Sequence, residues 1–172
     1  MISLLSGSVR SIQSDRLIVE VGGFGLTVLV TPATTTQVNL GSQVQLFTSL
    51  VVREDSLTLF GFVNEESRSL FELVQTVSGI GPKVALSILG ALTPEDLGRA
   101  IAQEDVAVIE KVPGIGRKGA QRLILELKGK LAPDLAAPGS ALGDAHGDIV
   151  QALVALGYSE REAAAAIKAL PP

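Results

Sequence analysis

Within the first sixty residues of the chain, apolar and polar residues follow a period of two in several short runs. Runs rich in β-branched and apolar residues are separated there by Gly, Asp, Pro and Thr, which is typical of strands joined by turns. The predicted strands span residues 2–12, 17–21, 24–30, 44–52 and 57–62. Five short strands indicate a small closed or partly closed barrel, and an OB-like barrel at residues 1–63 is the first choice.

The hydrophobic period changes to 3.6 after Gly61, which predicts helices from there to about residue 131. Asn64 is a suitable cap for the first helix, which extends to about residue 77. Pro82 begins a second helix, Thr93 precedes a third and Asp105 caps a fourth. A fifth helix is predicted from residue 117 to about residue 131. The fold class is therefore α+β, with a helical second domain at residues 64–131.

An internal repeat lies within the helical region. Residues 77–83 (VSGIGPK) and 112–118 (VPGIGRK) agree at Val, Gly, Ile, Gly and Lys when shifted by 35 residues, and Ala85 then matches Ala120. Each copy is preceded and followed by a helical pattern. The repeat therefore predicts two units of helix, tight glycine hairpin and helix, here called the first hairpin (77–83) and the second hairpin (112–118).

These hairpins have the features of phosphate-binding sites. Glycines permit positive φ and close approach of a ligand, while the Ile between them fills the groove between the helices. Outward N–H groups at a helix N-terminus favour an anion, and neighbouring lysines and arginines add positive charge. One such hairpin is equally well explained as a simple turn, but two copies with Lys at the same place favour binding of a nucleic-acid backbone. The candidate residues are Gly79, Ile80, Gly81, Lys83, Gly114, Ile115, Gly116, Arg117, Lys118 and Arg122.

The second hairpin also matches the dinucleotide-binding pattern G-x-G-x-x-G through Gly114, Gly116 and Gly119. That pattern requires a buried strand before the first glycine and an acidic residue about 20 positions later. Here a helical pattern leads into Pro113, so the match is weak.

The charge distribution favours a confined nucleic-acid footprint. The net charge is −4, yet residues 111–130 contain six basic residues and one acid, Glu126. Lys118 and Arg122 are four residues apart and so share a helix face that we expect to lie along a DNA backbone. We expect the other, more acidic surfaces of the protein either to stay away from phosphate or to bind partners.

An acidic turn, residues 53–56 (REDS), joins the last two predicted strands. Glu54 and Asp55 are either ordinary solvated turn residues or, near DNA, groups that repel phosphate. The aromatic residues of the barrel are expected to belong to its core more than to a base-stacking platform. They are Phe24, Phe47, Phe60 and Phe62.

Composition excludes several classes of chemistry. With no Cys, no Trp and a single His146, the chain offers neither a disulfide scaffold nor a usual zinc site, and no metal or cofactor is expected. The absence of a G-x-x-x-x-G-K-[ST] loop excludes a P-loop motor. Residues 1–7 have no basic leader pattern and no apolar run is as long as a membrane span, so a cytoplasmic location is expected.

The last forty residues differ in composition from the rest. Residues 132–147 are rich in Ala, Pro, Gly and Ser without periodicity, which predicts a flexible linker. Residues 148–172 predict two helices separated by Gly157, the second opening with a capping box at Ser159. Because two short helices cannot form a core of their own, we expect this region either to dock on a partner or to lack a third helix.

Taken together, these segments resemble the RuvA family of Holliday-junction-binding proteins. The resemblance rests on VVRED at 51–55, LFGF at 59–62, the two hairpins, RLILE at 122–126 and ALVALGY at 152–158. It implies an OB-fold domain, a helix-hairpin-helix domain and a mobile third domain that contacts a RuvB-type motor ATPase. It also implies a homotetramer, in some cases an octamer, that binds the open four-way junction on its concave face without catalytic activity of its own.

The resemblance assigns roles to particular residues. Glu54 and Asp55 match the family's acidic pin near the fourfold axis, where carboxylates from four copies would repel phosphates. Both hairpins and Arg122 match the family's contacts with duplex arms, which position the backbone without reading bases. Motor binding is implied for Leu153, Leu156, Gly157 and Tyr158. The family's third domain has three helices, so we expect either a shortened module or a sequence that continues beyond Pro172.

Two other functions remain to be distinguished by experiment. A helix-hairpin-helix glycosylase or lyase is similar in the second hairpin and in Ala132-Pro133-Asp134, but 3% aromatic residues provide poor walls for a flipped base. A generic OB module for single strands or RNA would prefer single-stranded over branched DNA.

Overall fold

The computed structural model describes residues 2–128 and 130, all of which belong to one compact unit. Its first part is a closed five-stranded barrel in the order β1-β2-β3-β5-β4. The strands are β1 (Leu4–Ile12), β2 (Arg16–Val21), β3 (Phe24–Leu29), β4 (Gln43–Val52) and β5 (Leu57–Phe62). Four of the pairings are antiparallel, and the short parallel pairing of β3 with β5 closes the barrel. The predicted OB-like barrel is thereby confirmed.

Alternate positions of the strands fill the barrel. The apolar residues enclosed there are Leu5, Leu17, Val19, Val28, Val30, Leu46 and Leu59. The predicted burial of aromatic residues is confirmed for Phe60 and Phe62, which are 1% and 2% exposed, and Phe47 is half-buried. It is wrong for Phe24, which is 75% exposed because it begins β3 directly after the Gly22-Gly23 turn, where no other element covers it.

A short helix, α1 (Pro32–Gln37), lies between β3 and β4 and was not predicted. Thr31 caps it by accepting a hydrogen bond from the N–H of Thr34, and Pro32 occupies its first turn. Six residues are too few to establish a 3.6-residue period, but the Thr-Pro pair is a helix-start signal that identifies it in retrospect.

Five further helices follow: α2 (Glu65–Gln75), α3 (Pro82–Ala91), α4 (Pro94–Ala102), α5 (Val106–Glu110) and α6 (Arg117–Lys128). Their predicted caps are confirmed. Asn64 Oδ1 accepts from the N–H of Ser67 at 2.8 Å, Thr93 Oγ1 caps α4, and Asp105 Oδ1 caps α5. None of the described helices is long and apolar enough to cross a membrane.

The barrel and the helices share a hydrophobic core. Phe60 and Phe62 of β5 join the same buried cluster as Phe71 and Val74 of α2 and Leu123 of α6. The first hairpin, which follows α2, is thus connected through α2 to the strand that begins at the acidic turn. The predicted linker, Asp134, the helices at 148–172 and the four motor-binding residues lie outside the described part of the chain.

Candidate nucleic-acid interface

The two hairpins share one backbone arrangement. Equivalent hydrogen bonds occur 35 residues apart: Ile80 N–H to Val77 O and Ile115 N–H to Val112 O, both 3.1 Å, and Ala85 N–H to Gly81 O and Ala120 N–H to Gly116 O, 2.9 and 3.0 Å. Ile80 and Ile115 are each 8% exposed and fill the hydrophobic core as predicted. The sequence repeat is therefore a structural repeat.

The two glycines of each hairpin have different roles. Gly79 and Gly114, the first of each pair, have φ of +84° and +90°, which a side chain at Cβ would strain. The prediction of positive φ is wrong for the second glycines, because Gly81 has φ −87° and Gly116 is not in the left-handed region. A Cβ at either second position would meet nothing within 4 Å. The second glycines instead leave open space beside the backbone.

Several N–H groups of the hairpins are available to a ligand. Those of Gly79, Gly81 and Lys83 donate to no acceptor within residues 2–128 and 130, and the same holds for Gly114, Gly116 and Lys118. Each set spans the turn and the start of the following helix, where the helix dipole adds positive potential. An approaching anion therefore meets several donors at once.

Exposed cations surround these donors. Lys83, Arg117, Lys118 and Arg122 are all exposed and make no ion pair with any described residue. Lys128, also in the basic segment, pairs instead with Glu104, and this pair lowers the pKa of the Glu104 carboxyl. The four cations without an ion pair among the described residues lie on α3 and α6, the helices that follow the two hairpins.

The hairpins contact each other through the helices that follow them. Arg122 Nη1 of α6 donates to the carbonyl oxygen of Ser78 in the first hairpin at 3.2 Å. The second hairpin in turn lies close to α3, because a Cβ added at Gly114 would be 3.4 Å from Val84 Cγ2. Lys118 lies one helical turn before Arg122 on the same face of α6, whose apolar residues Leu123 and Leu127 are buried.

The acidic turn lies where the sequence predicted, between β4 and β5. The N–H of Arg53 donates to the carbonyl oxygen of Ser56 at 2.8 Å, and Ser56 Oγ donates to Asp55 Oδ1 at 3.2 Å. Glu54 and Asp55 are exposed, and neither carboxylate pairs with a cation among the described residues. Two uncompensated negative charges therefore project from this end of the barrel.

A cleft of about 450 Å³ connects the acidic turn with the first hairpin. Its lining includes Arg53 and Ser56 of the acidic turn and Gly81 and Lys83 of the first hairpin. Lys83 also lines a neighbouring cleft with Asp15, whose pKa is lowered chiefly by its hydrogen bond with Arg16 and slightly by the Lys83 charge. Sequence reasoning assigned no role to Arg53; its place beside the acidic turn was the available signal, but only the fold brings it to Lys83.

The dinucleotide interpretation of the second hairpin is not supported by the fold. The element that precedes Gly114 is the helix α5, whereas a dinucleotide site needs a buried strand there.

Three family models match successive parts of the chain. Residues 1–61 match the RuvA N-terminal domain, residues 71–130 the SAM-like helix-hairpin-helix tandem, and residues 144–172 the RuvA C-terminal domain. The matches cover the barrel, both hairpins and the region after the predicted linker.

Similarity over nearly the whole of this chain leads to the same family. Proteins from Beutenbergia cavernae and Acidothermus cellulolyticus are each 52% identical, over 98% and 99% of this chain and 85% and 87% of their own lengths. A protein from Leptothrix cholodnii is 49% identical over 99% of this chain and 91% of its own. All three are named Holliday junction branch migration complex subunit RuvA. With the barrel and the paired hairpins arranged as described, this chain belongs to the RuvA family.

Proposed function

We propose that this protein binds four-way junction DNA by its shape and holds it open for branch migration, driven by a partner ATPase, in recombination and repair. The observation that carries the proposal is the pair of adjacent hairpins with the same backbone, each presenting N–H donors and exposed cations. The names of the relatives support the same function.

Each hairpin is suited to hold one stretch of phosphate backbone. Backbone N–H groups donate to phosphate oxygens, while Lys83 on one side and Arg117 and Lys118 on the other supply charge that favours an anion in any sequence context. Such contacts position a duplex but read no bases. Specificity must then come from the arrangement of the arms, which a junction provides and a linear duplex does not.

The acidic turn discriminates against phosphates at the centre of the junction. Glu54 and Asp55 are exposed and uncompensated among the described residues, so they repel a backbone that crosses them. In a homotetramer, four such turns would meet near the axis and direct separated strands outward. Arg53, which lines the same cleft as Lys83, would then guide each strand from the turn to the first hairpin.

Partner binding and assembly complete the proposal. We assign residues 1–63 to the barrel domain, 64–131 to a DNA-binding domain, 132–147 to a linker, and 148–172 to a domain that binds the motor ATPase. The proposed contacts with the ATPase are Leu153, Leu156, Gly157 and Tyr158. The subunit itself is non-catalytic, and hydrolysis belongs to the partner. Because bacterial chromosomal DNA lies in the cytoplasm, the protein acts there.

The phosphate clamps are tested by the salt dependence of junction binding. Lys83→Ala with Lys118→Ala should weaken binding and reduce the slope of log K against log salt by about 0.9 for each lost phosphate contact. Arg10→Ala is the matched control, because Arg10 is an exposed cation on β1 that pairs with Glu20, outside both hairpins. The measurement is fluorescence anisotropy of a labelled junction over a series of salt concentrations.

An unchanged slope in the double variant would show that Lys83 and Lys118 do not contact phosphate, which would refute the charged part of both clamps. Preference for single strands over the junction would instead support the generic OB module. Base excision from damaged duplex that depends on Asp134 would support the glycosylase class.

A further inference from the structure

Two side chains of helix α6 form hydrogen bonds with the backbone of Ser78 in the first hairpin, one with its carbonyl oxygen and one with its N–H. Arg122 Nη1 donates to the Ser78 carbonyl oxygen at 3.2 Å, and Glu126 Oε2 accepts from the Ser78 N–H at 3.3 Å. The two side chains are four residues apart and therefore neighbours on one helix face. These two contacts are here called the Ser78 brace. Lys130 Nζ reinforces it by donating to Thr76 Oγ1 at 2.9 Å.

The brace breaks the symmetry of the repeat. Under the 35-residue shift, the counterparts of Ser78, Arg122 and Glu126 are Pro113, Ser87 and Ala91. Pro113 has no N–H to donate, and Ala91 has no side-chain oxygen to accept it. The second hairpin therefore cannot be held in this way by α3, and this pair of side-chain hydrogen bonds is specific to the first hairpin.

Glu126 is a negative charge on a helix face that is otherwise positively charged. It is the one acid among the basic residues of segment 111–130, on the helix face that carries Lys118 and Arg122. A carboxylate there repels the phosphates that these cations attract. The hydrogen bond of Glu126 with the backbone of the first hairpin accounts for an acidic residue at this position, which the surrounding charges do not.

We propose that Glu126 is a positioning residue that, together with Arg122, fixes the first hairpin against α6 and so sets the spacing of the two phosphate clamps. The proposal rests on the proposed function for its effect on DNA, but the brace itself is a property of the free protein. With the spacing fixed, both hairpins meet one duplex arm without an ordering cost at binding.

The first test needs no DNA. Amide hydrogen exchange followed by NMR should show that the Ser78 N–H is protected in the wild type and exchanges faster in Glu126→Ala. Glu126→Gln keeps a side-chain oxygen and should retain most of the protection. Unchanged exchange in Glu126→Ala would overturn the brace whatever the DNA results are.

The second test measures junction affinity and its salt slope. Glu126→Ala should bind roughly tenfold more weakly, the cost of a lost hydrogen bond to a charged group, with an unchanged slope because no phosphate contact is removed. Glu126→Gln should restore most of the affinity. Glu110→Ala is the matched control, since Glu110 is an exposed acid at the end of α5 that makes no ion pair with a described residue.

A third variant removes the donor without changing charge. Ser78→Pro copies the residue found at the same place in the second hairpin, where Val112 precedes Pro113 as Val77 precedes Ser78. It should weaken junction binding as Glu126→Ala does, and the two changes together should cost no more than either alone. Full additivity, or tighter binding by Glu126→Ala, would overturn the positioning role. A wild type without junction preference would instead refute the proposed function and leave the exchange result intact.

Discussion

The ring of Phe71 in α2 lies 4.9 Å from the ring of Phe60 in β5, at an interplanar angle of 37°. Phe62 also contacts the Phe71 ring, with 4.9 Å between centroids and an interplanar angle of 46°. Because β5 begins at the acidic turn and α2 leads into the first hairpin, this aromatic contact joins the two proposed DNA-facing features. Its integrity should therefore affect both stability and binding.

Phe71→Ala should lower the free energy of unfolding by about 3–5 kcal/mol, because Phe71 is fully buried and its removal leaves a cavity. Phe24→Ala is the control: that ring is 75% exposed, and its loss should change stability by less than about 0.5 kcal/mol. Chemical denaturation of both variants measures the difference. Equal effects would contradict the observed division between buried and exposed aromatic residues.

The different roles of the paired glycines predict separable effects. Gly114→Ala should destabilise the protein by about 1–3 kcal/mol, because φ of +90° is strained for alanine. Gly116→Ala meets open space and should leave stability nearly unchanged, yet its methyl group would obstruct a phosphate at the hairpin and weaken junction binding. Thermal melts and junction titrations of both variants measure the two effects. Unaltered junction affinity in Gly116→Ala would argue against close approach of DNA at this position.

Neutralising the acidic turn should relax discrimination between DNA structures. Glu54→Gln with Asp55→Asn removes the repulsion, so affinity for linear duplex should rise while affinity for the junction is retained. The Asp55 variant still has an Oδ1 to accept from Ser56, so the turn itself should persist. Parallel titrations with junction and duplex check this. Loss of folding in place of altered discrimination would mean that the two carboxylates have only a structural role.

Acid sensitivity is expected at the start of α2. The hydrogen bond from Arg68 lowers the pKa of Glu65 below its usual 4.5. The ionised Glu65 therefore contributes stability above about pH 4.5, and this contribution is lost as pH falls through the lower folded-state value. NMR titration should show the Glu65 pKa moving back toward 4.5 in Arg68→Met. A Glu65 that titrates at or above 4.5 in the wild type would contradict this ion pair.

Local patterns were sufficient to predict much of the fold. Alternation of apolar and polar residues predicted the five strands, and the repeat predicted both hairpins. The capping residues Asn64, Thr93 and Asp105 predicted helix starts. Each of these signals lies within a few neighbouring residues. The short helix α1 was missed because six residues do not establish a period.

Contacts between distant segments could not be predicted in the same way. Arg122 and Ser78 are 44 residues apart, and their hydrogen bond depends on how α6 crosses the first hairpin. The cleft between Arg53 and Lys83 likewise exists only because the barrel and helices share a core. The exposure of Phe24 depends on whether another element packs over the end of its hairpin, and the hydrophobicity of Phe24 does not determine this.

The central claim is that the paired hairpins recognise the shape of a four-way junction, and direct competition tests it. A labelled junction bound to the wild-type protein is challenged with unlabelled junction or with linear duplex of equal length, over a series of salt concentrations. We predict that the junction competes better by orders of magnitude and that its advantage persists at moderate salt. Equal competition by the linear duplex would contradict shape recognition and would leave the hairpins as general phosphate-binding sites.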